Sequence, residues 1–164
     1  MSQEPLPRGD AEQLRSAIAA HAFCHGIAAD HIAAMADAAT SLELPAGSFV
    51  FRRGGPTTAF YLVTEGSIAL EVASPGRDPL TVETLHAGEA LGWSWLFPGR
   101  DWQFDARCLD DVTTVAIDAT RLRTLVDDDP AFGRDLVLRI GRVVVDRLIH
   151  ARAQLVDIHH HDDR

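Results

Sequence analysis

The apolar period of this chain changes from about 3.6 residues to 2 and back again, and that change constrains the fold more than any other feature. After Pro45 come the segments "SFVFRRGG", "AFYLVTEG", "SIALEVAS", "PLTVETLHAG", "FDARCLD" and "VTTVAID", rich in Val, Ile, Phe, Tyr and Thr and separated by Gly, Pro, Asp and Ser. Short β-prone runs at that spacing predict a compact antiparallel barrel or sandwich. Helical patterns flank it. Asp10, with Gln13 three residues on, predicts a capped helix with Leu14, Ala17 and Ile18 on its apolar face. Gly26 ends that region, and Asp30 is the expected cap of a second helix carrying Ile32, Met35, Ala36 and Ala39. From Asp118, "DATRLRTLVDDD" predicts a short helix, and Pro130 suits the first turn of a long one.

Composition narrows the function classes. A chain of 164 residues with 46% hydrophobic content predicts one globular domain able to bury a core. The formal net charge of −9 repels phosphate backbones and anionic membranes, so direct nucleic-acid binding and membrane association are not expected. No apolar run approaches the roughly 18 residues of a membrane span, and "MSQEPLPRGD" lacks the basic-then-apolar layout of a signal peptide. A cytoplasmic location is expected. Cys24 and Cys108 lie far apart, with neither a disulfide framework nor a metal-site spacing. His21, Cys24, His25 and His31 read as packing and surface residues rather than metal ligands, and the histidines of the terminal "IHHHDDR" as no more than an adventitious chelator. With no nucleophile–base pair, spaced carboxylate pair or P-loop, no enzyme, no cofactor and no metal site is predicted.

Two features remain. The stretch "GEALGWSWLFPGRDWQFDAR" holds all three tryptophans, Trp93, Trp95 and Trp102, within ten residues. In the long helix, Val137, Val144, Leu148, Ala151, Leu155 and Ile158 step by seven, four, three, four and three, beside a second line of Leu136, Ile140, Val143 and Arg147. The downstream seam Val144, Leu148, Ala151, Leu155 and Ile158 has coiled-coil character and predicts a homodimer.

The stretch "LPAGSFVFRRGGPTTAFYLVTEGSIALEV", continued by "VETLHAGEALG" and "ARCLDDVTTVAIDATRL", resembles the cyclic nucleotide-binding domain shared by catabolite-activator-like regulators, cAMP-dependent kinase regulatory subunits and gated channels. The likeness runs from about Leu42 to Leu155. It implies an α+β, mainly β fold: an antiparallel β-roll or jelly roll flanked by N-terminal helices and a long C-terminal helix. The expected layout is a flexible arm over 1–9, N-terminal helices over 10–44, the β-roll over 45–118 with a ligand cassette at 88–107, C-terminal helices over 119–158 and a tail over 159–164. Regulators of this family carry a winged helix-turn-helix after the long helix. Here the sequence stops soon after Ile158, which predicts a stand-alone effector domain that passes its signal to a protein partner not named by the sequence.

In that family the cassette helix opens with an apolar residue, Gly and Glu. Its N–H groups and a later Arg hold the cyclic phosphate, and the Glu takes the ribose hydroxyl. Laid on this chain, the opening falls at Leu91-Gly92-Trp93, so Trp93 stands at the Glu position. The Arg position falls at Trp102 or Gln103, and Asp105 follows it. Loss of one partner from a desolvated charge pair costs about 3–5 kcal/mol. At about 1.4 kcal/mol per decade, a micromolar site for a cyclic nucleotide becomes roughly millimolar.

Three readings follow. The aromatics Trp93, Trp95, Phe97, Trp102 and Phe104 fill the former pocket, leaving an interaction module. Alternatively, a pocket persists with altered chemistry and takes a flat aromatic or apolar small ligand. Its candidate residues are Gly88, Glu89, Leu91, Gly92, Trp93, Ser94 and Trp95, then Arg100, Trp102, Gln103, Phe104 and Arg107. In the third, cyclic nucleotides do bind, with Arg100 or Arg107 swung in. Arg107 also alternates with Asp105 along one strand, so a surface ion pair competes with any anion contact.

Overall fold

The computed structural model describes residues 11–97 and 99–162; the arm over 1–9 and the Asp10 cap lie outside them. Helix α1 (Ala11–Ala20) buries Leu14 and Ile18, and α2 (Ala29–Asp37) buries Ile32, Met35 and Ala36. A 3-10 turn, Ala22–Cys24, lies between them. Asp30 is not the cap: Ala28 holds that position without a side-chain bond, and Asp30 sits in the first turn, where a carboxylate still meets the positive end of the helix dipole.

Eight strands follow: β1 (Ala39–Leu44), β2 (Phe49–Phe51), β3 (Ala59–Glu65), β4 (Ser67–Val72), β5 (Leu80–His86), β6 (Ala90–Leu91), β7 (Asp105–Cys108) and β8 (Val112–Asp118). They form two antiparallel four-stranded sheets, ordered β1-β8-β3-β6 and β2-β7-β4-β5. The architecture is the mainly β roll with flanking helices that the sequence predicts. One boundary moves. Residues 39–44 were expected to be helical, but Ala39 pairs with Ile117 and the register runs on to Leu44 opposite Val112. The cause is visible in "TSLEL": Leu42 and Leu44 alternate toward the apolar cluster between the sheets, a period of 2 that overrides the alanine-rich helix before it.

β3 is the central strand. Its residues from Ala59 to Val63 are all buried, because both of its faces are covered, and a strand covered on both sides reads as continuous apolar sequence. Tyr61 and Val63 point between the sheets with Ile68, Leu70, Leu85, Leu91, Ala106 and Cys108. Phe60 points the other way, toward Phe23, whose ring it meets edge-on at 5.2 Å. His21 ties this layer to the sheet through Nε2 and the Val63 carbonyl at 3.0 Å.

Length alone predicts a single body, but the residue contacts divide the chain into two compact units, one up to Leu125 and one from Val126. A long helix makes most of its contacts with its own sequence neighbours. Helix α3 (Ala119–Asp128) leads to α4 (Pro130–Asp162), about 50 Å long at ~1.5 Å per residue. The Asp129 carboxylate accepts from the Phe132 N–H at 3.1 Å, and Pro130 occupies the first turn, where its missing N–H costs nothing. Phe132, Leu136 and Ile140 are buried. From Val144 onward the apolar residues of the seam are exposed, from 38% at Val144 to 59% at Ile158. The expected tail at 159–164 continues this helix as far as Asp162.

Candidate ligand cavity

The Trp-rich stretch begins where β6 leaves β3, with Leu91 opposite Tyr61. Gly92 then turns the chain with φ +88°, and a Cβ there would lie 2.8 Å from Cη2 of Trp102. Only glycine meets both demands, the left-handed backbone and the close ring. A four-residue 3-10 helix, Trp93–Leu96, follows.

The three indoles part company here. Trp95 is wholly buried, 6.0 Å from Phe60, and its carbonyl accepts from Nη1 of Arg123 on α3 at 2.9 Å. Its Nε1 has no hydrogen-bond partner among the described residues, so the ring contributes packing alone. Trp102 is held by its main chain: its N–H donates to the Gly55 carbonyl and its carbonyl accepts from Gly54, both at 2.9 Å. Its ring stacks on Phe51 with centroids 3.9 Å apart and planes 9° from parallel, and Tyr61 lies tilted beside it at 6.3 Å. Trp93 is half-buried.

Between these rings and the sheets lies a cavity of about 290 Å³. Leu70, Leu91 and Gly92 line it together with the aromatic residues Phe51, Trp102, Trp93, Phe97 and Phe104, and Ser94, Gln103 and Arg100 add the polar groups. Among the described residues, Arg100 is the only ionisable side chain lining it. Its main chain is pinned, with its N–H donating to Phe97 O at 3.3 Å and its carbonyl accepting from Thr57 Oγ1 at 3.1 Å. The guanidinium lies 5.9 Å from the Phe97 ring centroid.

Of the residues named from sequence, Leu91, Gly92, Trp93, Ser94, Arg100, Trp102, Gln103 and Phe104 line this space. Gly88, Glu89, Trp95 and Arg107 do not. Gly88 and Glu89 form the turn that bonds to Val63, and the Glu89 carboxylate accepts from the His86 N–H at 2.7 Å. Arg107 turns to the opposite face of its strand, where Nε donates to both oxygens of buried Glu71 at 3.1 Å and Nη2 to one at 2.5 Å. That carboxylate raises the Arg107 pKa above its ordinary value. The partner is therefore Glu71, not the same-strand Asp105, which accepts instead from the Arg53 N–H at 2.8 Å and Arg52 Nε at 3.2 Å.

Phe51, Leu70 and Phe97 complete the lining and were absent from the candidate set. Leu70 alternates with Ile68 on an inward face, a signal present in "SIALEV". Phe51 has no comparable local mark, since its place against Trp102 depends on a partner fifty-one positions away. Among the other groups, burial lowers the His21 pKa, opposed by hydrogen bonds to the Val63 and Glu89 main chain, and burial raises those of Tyr61 and Cys108. Among the described residues no three His, Cys, Asp or Glu side chains gather as a metal site, and no helix is long and apolar enough to cross a membrane.

Comparison with known proteins supplies independent findings. The family model described as "Cyclic nucleotide-binding domain" matches residues 41–129. No curated protein matches the sequence. Among solved structures, a Geobacter metallireducens GS-15 protein ascribed to cyclic nucleotide binding superposes with a TM-score of 0.72 at 24% identity, over 85% of this chain and 98% of that one. The regulatory domain of Toxoplasma gondii PKA with cAMP gives 0.68 at 19%, over 82% of this chain and 49% of that one. The regulatory subunit of a cAMP-independent protein kinase A from Trypanosoma brucei gives 0.70 at 17%, over 90% and 53%. This chain spans about half the length of those two kinase subunits.

Proposed function

Because the chain belongs to the cyclic nucleotide-binding domain family, we propose that it is a non-catalytic, cytoplasmic sensor whose cassette has been rebuilt to hold a small flat ligand other than cAMP. One observation carries this reading: the cassette borders about 290 Å³ of space lined by aromatic rings and, among the described residues, by no carboxylate. Sites for small organic molecules are mostly apolar, with a few placed polar groups, and this volume sits at the lower edge of their usual range of roughly 300–1,000 Å³. Trp93 stands where a ribose acceptor would be, and Arg107 is committed to Glu71, so a cyclic nucleotide would have Arg100 alone for its phosphate.

The signal passes, in this proposal, to a second copy of the chain and to a further protein partner. The exposed seam of Val144, Leu148, Ala151, Leu155 and Ile158 on α4 supports the homodimer, since apolar residues at heptad spacing are stabilised by a facing helix. The stacking of buried Trp102 on half-buried Phe51 favours a second reading, a ligand-free interaction module, in which the remaining space is only incomplete filling.

Tryptophan fluorescence separates the two. Neutral flat heterocycles such as indole and quinoline are expected to quench or shift emission saturably, with cAMP and cGMP no tighter than about the high-micromolar range. Low-micromolar cyclic nucleotide binding would restore the family's ordinary ligand, and a flat response to every compound would leave the interaction module. For the dimer, light scattering should give twice the chain mass at tens of micromolar. The Leu148→Glu, Leu155→Glu double variant should remain folded and halve that mass.

A further inference from the structure

We infer that the ligand is a planar aromatic monoanion, a carboxylate on one or two rings, whose charge is met by Arg100 at the cavity. The inference rests on the sensor reading above and adds the charge and class of the ligand. Arginines near the cassette differ in what they hold. Arg52 engages Asp105, Arg107 engages Glu71, and Arg123 donates to the Trp95 carbonyl and to Thr120. Arg100 makes no ion pair among the described residues, and it is the one of the four that lines the cavity.

The rest of the wall admits rings and little else. Phe51, Trp102, Trp93, Phe97 and Phe104 present aromatic surface, and no acidic side chain among the described residues lines the space to oppose an anion. A guanidinium fork matches a carboxylate in two hydrogen bonds, a pairing stronger than one between neutral groups. Gln103 also lines the space, its Nε2 donating to the Asp101 carbonyl at 2.9 Å. A space of about 290 Å³ lies at the low end for small-molecule sites, and one or two fused rings with one small substituent fit within it. The net charge of −9 gives no long-range steering toward an anion, so selectivity depends on Arg100 at contact distance.

Isothermal titration of the full chain with naphthoate and with its neutral isostere naphthamide reads the charge directly. Wild type should bind naphthoate roughly ten- to a hundredfold more tightly than naphthamide, the range for one charge-assisted pair. Arg100→Gln should bring the acid down to the affinity of the amide and leave the amide unchanged, while Arg100→Lys should keep part of the preference. A salt series on wild type measures the same term without a variant, the preference shrinking between about 0.05 and 0.5 M salt as screening rises. Equal affinity for acid and amide overturns the inference and leaves the cavity reading intact. Saturation by neither overturns both, and cAMP binding more tightly than naphthoate overturns the carboxylate assignment.

Discussion

The two faces of β3 carry similar residues to different ends. On one face Phe60 and Leu62 are 1% and 0% exposed, Ile117 stands directly opposite Phe60, and Trp95 and Phe23 close over the Phe60 ring. That layer is packed solid. On the other face Tyr61 and Val63 look between the sheets, where packing ends at Leu91, Phe51 and Trp102 and leaves open volume. Two tryptophans two residues apart thus do opposite things, Trp95 filling one layer and Trp93 edging the cavity of the other. Both layers bury apolar side chains, but open volume borders only the one between the sheets, where the proposed ligand would sit.

The largest effect tests the filled layer. Trp95→Ala should destabilise by about 3–5 kcal/mol, because neighbours held in a sheet cannot collapse into the space of an indole. Urea unfolding measures it, and a loss under about 1 kcal/mol would show that the two layers do not differ as described.

A smaller effect comes from His21, which joins the filled layer to β3. Its Nδ1 accepts from the Phe23 N–H at 3.2 Å, so Nε2 carries the proton donated to Val63 and the ring is neutral. Burial holds its folded pKa below the ordinary 6.5, whereas the unfolded chain takes up a proton near pH 6.5. This contribution to stability is therefore complete above pH 6.5. It declines as pH falls below that value and levels off once the folded pKa has been passed. Unfolding midpoints from pH 8 to 5 should fall more steeply for wild type than for His21→Gln, and parallel curves would remove His21 from the account.

Trp93→Ala should have the smallest effect on stability, under about 1 kcal/mol, since the ring is only half-buried and borders existing space. The same change should weaken a saturable ligand at least tenfold. A loss near that of Trp95→Ala would mean that Trp93 is filler, and would favour the interaction-module reading.

Much of this architecture was legible in the sequence because its signals are local. The apolar run in "AFYLVTEG", the alternation in "SIALEV", glycines at turns and Pro130 at the start of α4 each act within a few residues, so they specify strands, turns and a helix start without knowledge of the rest. Trp93 and Trp102 are placed in the cassette by the resemblance to the cyclic nucleotide-binding domain, not by a local pattern. Local signals misplaced β1, where an alanine-rich helix runs into "TSLEL" and only pairing with β8 settles the conformation.

What tertiary structure alone decided is how the cassette is used. Nothing in "GEALGWSWLFPGRDWQFDAR" distinguishes the tryptophan that disappears into the core from those that border a cavity, because that depends on Phe60 in one layer and Phe51 in another. Arg100 and Arg107 are equally plausible anion ligands in sequence. They part because Glu71, thirty-six positions away, sits diagonally across the β4–β7 ladder from Arg107 and neutralises it, while no carboxylate among the described residues lines the cavity beside Arg100. Chain pattern is set by neighbours in sequence, whereas open space and unmatched charge are set by groups that meet only when the strands pair.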